Sequence, residues 1–525
     1  MNSSLIYIFI YIYFYIGTMP GGIMQLIFQG AQDIYLSGNP TMTFFKTVYK
    51  RHTQFGTEYI TLPFDQIPTF TPTQMTKATC KIGRNADLLF DTYLTYDLPA
   101  IYTNNMIPFG WAEELGTRII QEITIRVDGF VIDTHTGDFM KIFTDVNFNG
   151  TKKVQWLRCI GGESYMLNTG QNLSNDITNQ TVAINARRLY IPLLFWYCLN
   201  SGLSIPLIAL QYNELYIDCT FSPLNELIRI GNPPVSPKQL FGDYQNTEFN
   251  IGIRNYLMSL GFDQTNVFYY FTQNNWQSNT NLLCNYIFLG DDERKMFAQT
   301  SHEYLITQVQ LNTFQGLKAG PNYLETTFNH PVKEVIWYLT RDDLDQYNDW
   351  YNFTGLYQNN SFAYWQFQLQ FYNLQHGNQP LLSYVKTNFT DFINSVKAQS
   401  VDKLTPQQTQ TYFGDYYSIM ESAQPVFNNN DRMEIQEHDF FQNLQLFKYH
   451  TGYSSRGIYI MSFALKPEDH QPSGTQNFSR LDYQEFRINI FNTYPIEQRF
   501  NCNMYAINYN VFRIIGGMGS TVFSN

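Results

Sequence analysis

The sequence predicts an all-β protein built as two domains in tandem, and three observations carry that prediction. At 525 residues the chain exceeds one ordinary domain. Aromatic residues make up 17% and charged residues 15%, a balance that suits pleated sheets and broad contact surfaces better than long solvated helices. Apolar and polar residues alternate in short runs broken by turn residues. Ile123, Ile125 and Val127 alternate with Thr124, Arg126 and Asp128, and Asp128-Gly129 then makes a hairpin turn into Phe130. Leu215, Ile217, Cys219 and Phe221 alternate in the same way with Tyr216, Asp218 and Thr220, one face toward a core and one toward solvent. Many short antiparallel strands of this kind close into a sandwich or a barrel.

From the start, residues 1–18 contain the uncharged run Leu5 to Ile16, shorter than the roughly 20 residues that span a bilayer as a helix and without the flanks of a signal peptide. This stretch reads as an upstream extension with Met19 as the true initiator; a membrane-interacting segment is the rival reading. Residues 19–45 form an N-terminal arm punctuated by Gly21, Gly22 and Gly30, followed by a turn at Ser37-Gly38-Asn39-Pro40. The β-branched and aromatic run Thr41 to Tyr49 suits a strand. The first sandwich is expected over 46–225. Pro223, Gly231, Pro233, Pro234 and Pro237 then mark an inter-domain connection over 226–280. The second domain is expected over 281–525, opening with the strand LLCNYIFLG and an acidic helical turn at Asp291, Asp292 and Glu293. It carries an elaborated loop at about 340–425, where Asp391 to Lys403 suits a short helix. The chain closes with a strand and a Gly-rich tail.

The stretch GGIMQLIFQGAQDIYLSGNPTMTFFKTVYKRHTQF closely resembles the opening of major capsid proteins of the nucleocytoplasmic large DNA viruses, especially the mimivirus-like and algal-virus members. The shared pattern is a Gly-Gly start, Gly-Ala-Gln-Asp, a Gly-Asn-Pro turn and Thr-Phe-Phe-Lys before Tyr-Arg-Arg-His, with Lys50 here in place of the first Arg. WAEELGTRIIQEITIRVDGFVID and PLLFWYCLNSGLSIPLIALQYNELYIDCTF resemble strands of the family's first jelly roll, and FNHPVKEVIW and MSFALKPEDHQPSGTQNFSRLD resemble parts of the second. Gln476 replaces a Cys that many relatives carry, and in FNNNDRMEIQEHDFFQNLQ Asn429 stands where a left-handed backbone is tolerable for Asn. The resemblance implies two tandem eight-stranded antiparallel jelly-roll β-sandwiches with short helices in loops. It also implies a homotrimer that forms a pseudo-hexagonal capsomer tiling an icosahedral shell, located in the virion and assembled in the host cytoplasm. The implied partners are neighbouring capsomers, minor capsid proteins and an inner viral membrane.

Charge and motifs narrow the function further. The net charge is −11 and the pI about 5.2, so direct nucleic-acid binding is not expected. The densest basic spots, Lys50-Arg51-His52, Lys152-Lys153 and Arg187-Arg188, read as solvated surface or ion pairs. The six cysteines lack any C-x-x-C pair, which speaks for free thiols and against a zinc knuckle. No Walker, Rossmann, zincin or nucleophile-elbow motif is present, so no catalytic residue, cofactor or metal is expected. His302-Glu303 reads as strand surface, and His135 with Asp138 as loop chemistry around Gly137. The apolar arm residues Ile23, Leu26, Ile27, Phe28 and Ile34 are the candidate assembly contacts. Asn149, Asn172, Asn179, Asn352, Asn359 and Asn388, with Asn477, are candidate glycosylation acceptors. Two alternatives stand beside the shell: a minor capsid paralogue, and a carbohydrate-binding or carbohydrate-cleaving β-sandwich, which would need two carboxylates facing each other in an aromatic cleft.

Overall fold

A computed structural model of the chain describes residues 21–66, 68–70, 74–98, 101–102, 109–163, 182–184, 186–230, 276–344, 348–355, 418–453, 457–492 and 498–523. Two units compose it, one ending at Gln54 and the other starting at Phe55. The expectations for residues 1–18 and for a helix at 391–403 lie outside the described residues.

In the first unit the helices α1 (Gly21–Ile27) and α2 (Ile34–Ser37) are short, and Gly38 closes α2 by donating its N–H to the Ile34 carbonyl. The strand expected at Thr41 to Tyr49 does not form. A strand is completed by the ladder beside it, and propensity without a partner does not make one.

The second unit begins with eight principal strands: β1 (Phe55–Pro63), β2 (Thr76–Ile82), β3 (Leu88–Leu98), β4 (Ile120–Val127), β5 (Phe130–Thr136), β6 (Arg187–Pro192), β7 (Leu215–Phe221) and β8 (Thr280–Leu289). They pair antiparallel as two sheets, β1-β8-β3-β6 and β2-β7-β4-β5. The alternation read from the sequence sets the inward faces, with Ile123, Ile125, Val127, Leu215, Ile217, Cys219 and Phe221 all buried in one core. Asp128 takes a positive φ of 50° in the two-residue turn that joins β4 to β5.

One expected boundary moves. LLCNYIFLG was assigned to the second domain, yet β8 lies between β1 and β3 in the first sandwich, with Thr57 opposite Ile287 and Leu282 opposite Leu94. An apolar run with period 2 shows that a strand exists and not which sheet it joins. The 226–280 connection lies largely outside the described residues, but its ends return to the first sandwich: Ile228–Ile230 pairs with Phe109–Trp111, and Trp276–Gln277 with Thr69–Phe70.

The second half repeats the pattern with β9 (His302–Leu317), β10 (Gly320–Glu325), β11 (Pro331–Arg341), β12 (Met420–Phe427), β13 (Asn430–Asp431), β14 (Ile458–Ser462), β15 (Gln484–Ile490) and β16 (Phe500–Ile515). Its sheets run β9-β16-β11-β14 and β10-β15-β12-β13, the same order strand for strand. Two facing sheets in this order form a jelly roll, so the chain is a double jelly roll. Asn428 and Asn429 make the β12–β13 turn with φ of 50° and 61°, as the sequence suggested for Asn429. The stretch expected as an elaborated loop, about 340–425, lies mostly outside the described residues. The C-terminal glycines are not a loose tail: Gly516 and Gly517 turn the chain into a hairpin strand, β17 (Met518–Thr521), on β16.

Helices occupy the loops. Leu115–Ile119, expected as strand, is the turn α3, where a Cβ on Gly116 would stand 2.8–2.9 Å from Ile160 and Ile191. Next come α4 (Gly137–Asn147), capped by Thr136, and α5 (Gly150–Ile160), capped by Asn149 and closed by Gly161 at φ 79°. The acidic run opens α6 (Asp291–Gln299), its carboxylates in the first turn where free N–H groups favour them.

Trp337 is fully buried at the centre of the second core, packed on Phe441, Tyr459 and Phe486. Trp337→Ala should cost about 3–5 kcal/mol by chemical denaturation, whereas Phe447→Ala, on an exposed side chain, should change stability by less than about 0.5 kcal/mol. All six cysteines are free thiols, so denaturation midpoints should agree with and without reductant.

Candidate functional site: the seam between the sandwiches and the N-terminal arm

The sequence that follows Thr136 builds the seam. In GDFMKIFTDVN, Phe139, Ile142 and Val146 recur at helical spacing and form one apolar stripe on α4. That stripe packs on Ile336, Tyr338, Tyr505 and Ile507, from the outer face of the β9-β16-β11-β14 sheet, together with Phe353, Ile458 and Ile460. Strand β11 is therefore buried on both faces: Val335, Trp337 and Leu339 point into the second core while Ile336 and Tyr338 point into the seam.

Polar groups along the seam are paired across it. Tyr338 Oη donates to Asp138 Oδ2 at 2.9 Å and accepts from Asn503 Nδ2 at 2.7 Å. Thr136 Oγ1 lies 2.8 Å from Tyr505 Oη, and Thr117 Oγ1 lies 2.8 Å from Tyr351 Oη. The Arg118 guanidinium stacks 3.8 Å above the Trp350 ring and pairs with Glu226 and Asp138. His135 and Asp138, expected in a turn around Gly137, sit instead at the end of β5 and in the first turn of α4. The His135 ring stacks 4.5 Å from Phe195, and its Nε2 lies 3.0 Å from Asp133 Oδ2.

Behind α4 lies a sealed ionic quartet. Lys141 Nζ is 2.7 Å from both Glu114 Oε1 and Asp145 Oδ2. Lys153 Nζ is 2.7 Å from Asp145 Oδ1 and 3.3 Å from Glu114 Oε2. Burial disfavours the Lys141 ammonium, but Asp145 and Glu114 outweigh it and hold its pKa above the usual lysine value. Burial likewise opposes the Asp145 carboxylate, and Lys141 and Lys153 hold it below the usual range. Of the basic spots, Lys153 joins this quartet, Arg187 pairs with Glu163, and Arg188 forks onto Asp97 at 2.5 and 2.8 Å.

At the far end of α4 the second sandwich reaches back. His450 Nε2 stands 3.1 Å from Glu334 Oε2, and its Nδ1 faces Asn147 Oδ1 at 3.2 Å and Glu468 Oε1 at 3.7 Å. Gly452 donates to the Val146 carbonyl at 2.9 Å, and any Cβ there would come within 2.2 Å of that oxygen, so only glycine fits. Burial works against the imidazolium, yet Glu334 and Glu468 raise its pKa from 6.5 to about 9. Sequence reading did not identify these residues. The Thr136 cap and the spacing of Phe139, Ile142 and Val146 could have revealed α4; nothing near His450 in sequence signals Glu334.

The arm presents the expected assembly residues. Ile23, Leu26, Ile27, Phe28 and Ile34 are 44–74% exposed. On the second unit, Phe130, Val131, Tyr212 and Met518 are also exposed, and Tyr212 donates its N–H to the Gly517 carbonyl at 3.0 Å. Among the described residues no group of acidic, His or Cys side chains is placed to hold a metal, and no helix is long and apolar enough to cross a membrane. A cleft of about 220 Å³ between Lys81, Arg84, Leu207 and Glu214 carries no paired carboxylates. Asn149 is exposed and caps α5. Asn352 is buried, its Nδ2 donating to Asp349 and its Oδ1 accepting from Thr354, so attachment of a glycan would require this turn to open. Asn172, Asn179, Asn359 and Asn388 lie outside the described residues.

Comparison with known proteins follows the same division. A family described as "Major capsid protein N-terminus" matches residues 43–290, and one described as "Large eukaryotic DNA virus major capsid protein" matches 293–520, so the border falls just after β8. The chain is 30% identical to a major capsid protein of Phaeocystis pouchetii virus and 31% to that of Pyramimonas orientalis virus, over 97% of this chain and 100% of each relative. Among solved structures, the fold is similar to that of the capsid protein VP54 of PBCV-1, with 23% identity, a TM-score of 0.63, and coverage of 92% of this chain and 100% of that one. The Faustovirus major capsid protein is similar at 11% identity and a TM-score of 0.60, covering 93% of this chain and 94% of the other.

The His450 cluster predicts a pH window. The His450 contribution is complete below its ordinary value of 6.5 and is lost as pH rises through about 9. Glu334 and Glu468, lowered from 4.5, contribute above that value and lose their contribution as pH falls below it. Stability against denaturant should therefore be flat between 4.5 and 6.5 and decline on the alkaline side. His450→Ala should cost about 3–5 kcal/mol and remove the alkaline decline, because buried Glu334 then keeps only Lys333, 3.9 Å away, as a cationic partner.

Proposed function

The chain belongs to the family of large eukaryotic DNA virus major capsid proteins, and from that premise we propose that three copies associate into a pseudo-hexagonal capsomer. It is a structural protein of the virion, assembling into an icosahedral shell with neighbouring capsomers. The observation that carries the trimer is the repeated strand order of the two sandwiches. Two similar wedges per chain and three chains make six near-equivalent wedges, which a hexagonal lattice position accepts.

The rigid seam supports this reading. A lattice subunit must hold its two wedges at one angle, and α4, the ionic quartet and the His450 cluster all span or brace that junction. The chemistry of the buried carboxylates favours a shell over a carbohydrate enzyme: Glu114 and Asp145 face each other, but two lysines neutralise them in a closed interior. The reading assigns no catalytic role, cofactor or nucleic-acid contact to this chain. It places assembly in the host cytoplasm and assigns the arm to contacts with neighbouring capsomers, minor capsid proteins or an inner membrane. A minor-component role in the same shell is the second reading, and quantitative mass spectrometry of virions separates the two.

Light scattering on the protein from residue 19 onward should give three times the mass of that shortened chain, a little under three times the 61.5 kDa of all 525 residues, with interfaces of roughly 2,000 Å² or more per contact. A stable monomer at micromolar concentration overturns the trimer. Deleting residues 19–40 should leave trimers with nearly unchanged thermal stability but impair their entry into capsids. Unfolding of the trimer would place the arm in the core instead.

A further inference from the structure

The first sandwich has four sheet edges, and three of them are protected. The outer side of β5 meets β9, with Gln308 donating to the Ile132 carbonyl and the Val309 N–H donating to Asp133. Beside β2, the Asp65 N–H donates to the Thr79 carbonyl at 2.8 Å. On β6, Arg187 reaches Glu163 and the Arg158 carbonyl. Strand β1 differs. It pairs with β8 on one side, and among the described residues no strand adjoins its other side. From Gly56 onward this edge is a template for a further strand.

A matching strand former exists in the same chain. Thr41 to Tyr49 is nine residues of β-branched and aromatic sequence around one lysine, has no ladder of its own, and exposes Met42, Phe44, Phe45, Val48 and Tyr49 by 67–97%. Aligned antiparallel and centred on β1, it places Lys46 opposite Glu58, Phe45 opposite Tyr59, Phe44 opposite Ile60 and Met42 opposite Leu62. Opposite residues share a face, so Met42 and Phe44 extend the half-buried apolar side that Ile60 and Leu62 already pack on the first core. A slip of one residue puts Thr43 opposite Leu62 and takes Lys46 away from Glu58.

We propose that Thr41–Tyr49 of one copy adds as an antiparallel strand to the open edge of β1 in a second copy. A second copy is favoured over the chain's own β1 because a hairpin in this register would have Lys50-Arg-His-Thr-Gln54 as its loop. That five-residue loop holds none of the Gly, Asn, Asp or Pro residues that dominate turns, and pairing with a second copy needs no chain reversal there. The proposal deepens the assembly reading and rests on it.

The test uses two populations of full-length chain in a Cys159→Ser background, one carrying Phe45→Cys and a long tag, the other Tyr59→Cys and a short tag, co-expressed and assembled. Mild oxidation should give a mixed-tag disulfide dimer that reductant abolishes and that neither population forms alone. A chain carrying both cysteines tests the rival: a disulfide only within one chain, with no mixed dimer, overturns the proposal in favour of the hairpin. No disulfide in either format, while light scattering still reports trimers, overturns the strand addition and leaves the assembly reading standing; a monomer sinks the assembly reading itself. Independently, Lys46→Glu and Glu58→Lys should each impair assembly and the double exchange should restore it. Equal assembly by all three variants also overturns the proposal.

Discussion

The second sandwich depends on a helix from the first half to cover one of its sheets. Strand β11 is apolar on both faces because its outer face carries Ile336 and Tyr338 against the α4 stripe of Phe139, Ile142 and Val146. Without α4 that face would stand in water as a large apolar patch, which soluble domains rarely tolerate. The surrounding polar chemistry follows from this contact. Helix α4 is held from behind by the ionic quartet, at its start by Thr136, and at its end by the Gly452 hydrogen bond and His450. A buried ion pair adds little net stability compared with apolar packing. Its neutral arrangement of two carboxylates and two ammoniums does fix which way α4 lies, because any other placement strands a charge.

What the sequence revealed, it revealed through period. Ile123, Ile125 and Val127, and Leu215 through Phe221, alternate so cleanly that their inward faces are settled without coordinates, and Asp128-Gly129 sets the turn between two of those strands. The family motifs then supplied the jelly-roll count. Partnership was less legible. LLCNYIFLG is visibly a strand, but its place between β1 and β3 depends on residues far away in the chain. Thr41 to Tyr49 has the composition of a strand and no ladder, since propensity is local and pairing is not.

The site shows the same limit at the level of single residues. The exposed arm residues could be named from sequence because apolar side chains among glycines stand out. Helix α4 was missed although its cap and spacing are both present, because the neighbouring strands dominated the reading. Glu114, Lys153, Glu334 and His450 could not have been grouped in advance: 39 residues separate the first two in the chain, and more than a hundred the last pair. His135 and Asp138, close in sequence, turn out to serve different neighbours, Phe195 and Tyr338.

The first core contains Ile306, Phe512 and Ile514, with Phe512 lying 6.2 Å from Trp196. During synthesis, then, the N-terminal sandwich leaves the ribosome without the side chains that seal it and must wait for nearly the whole chain to emerge. A chain that stops short of Phe512 cannot finish either half, so a prematurely terminated product carries an open core that chaperones and proteases can recognise. Synthesis of the last strand is in this way written into the packing of both halves.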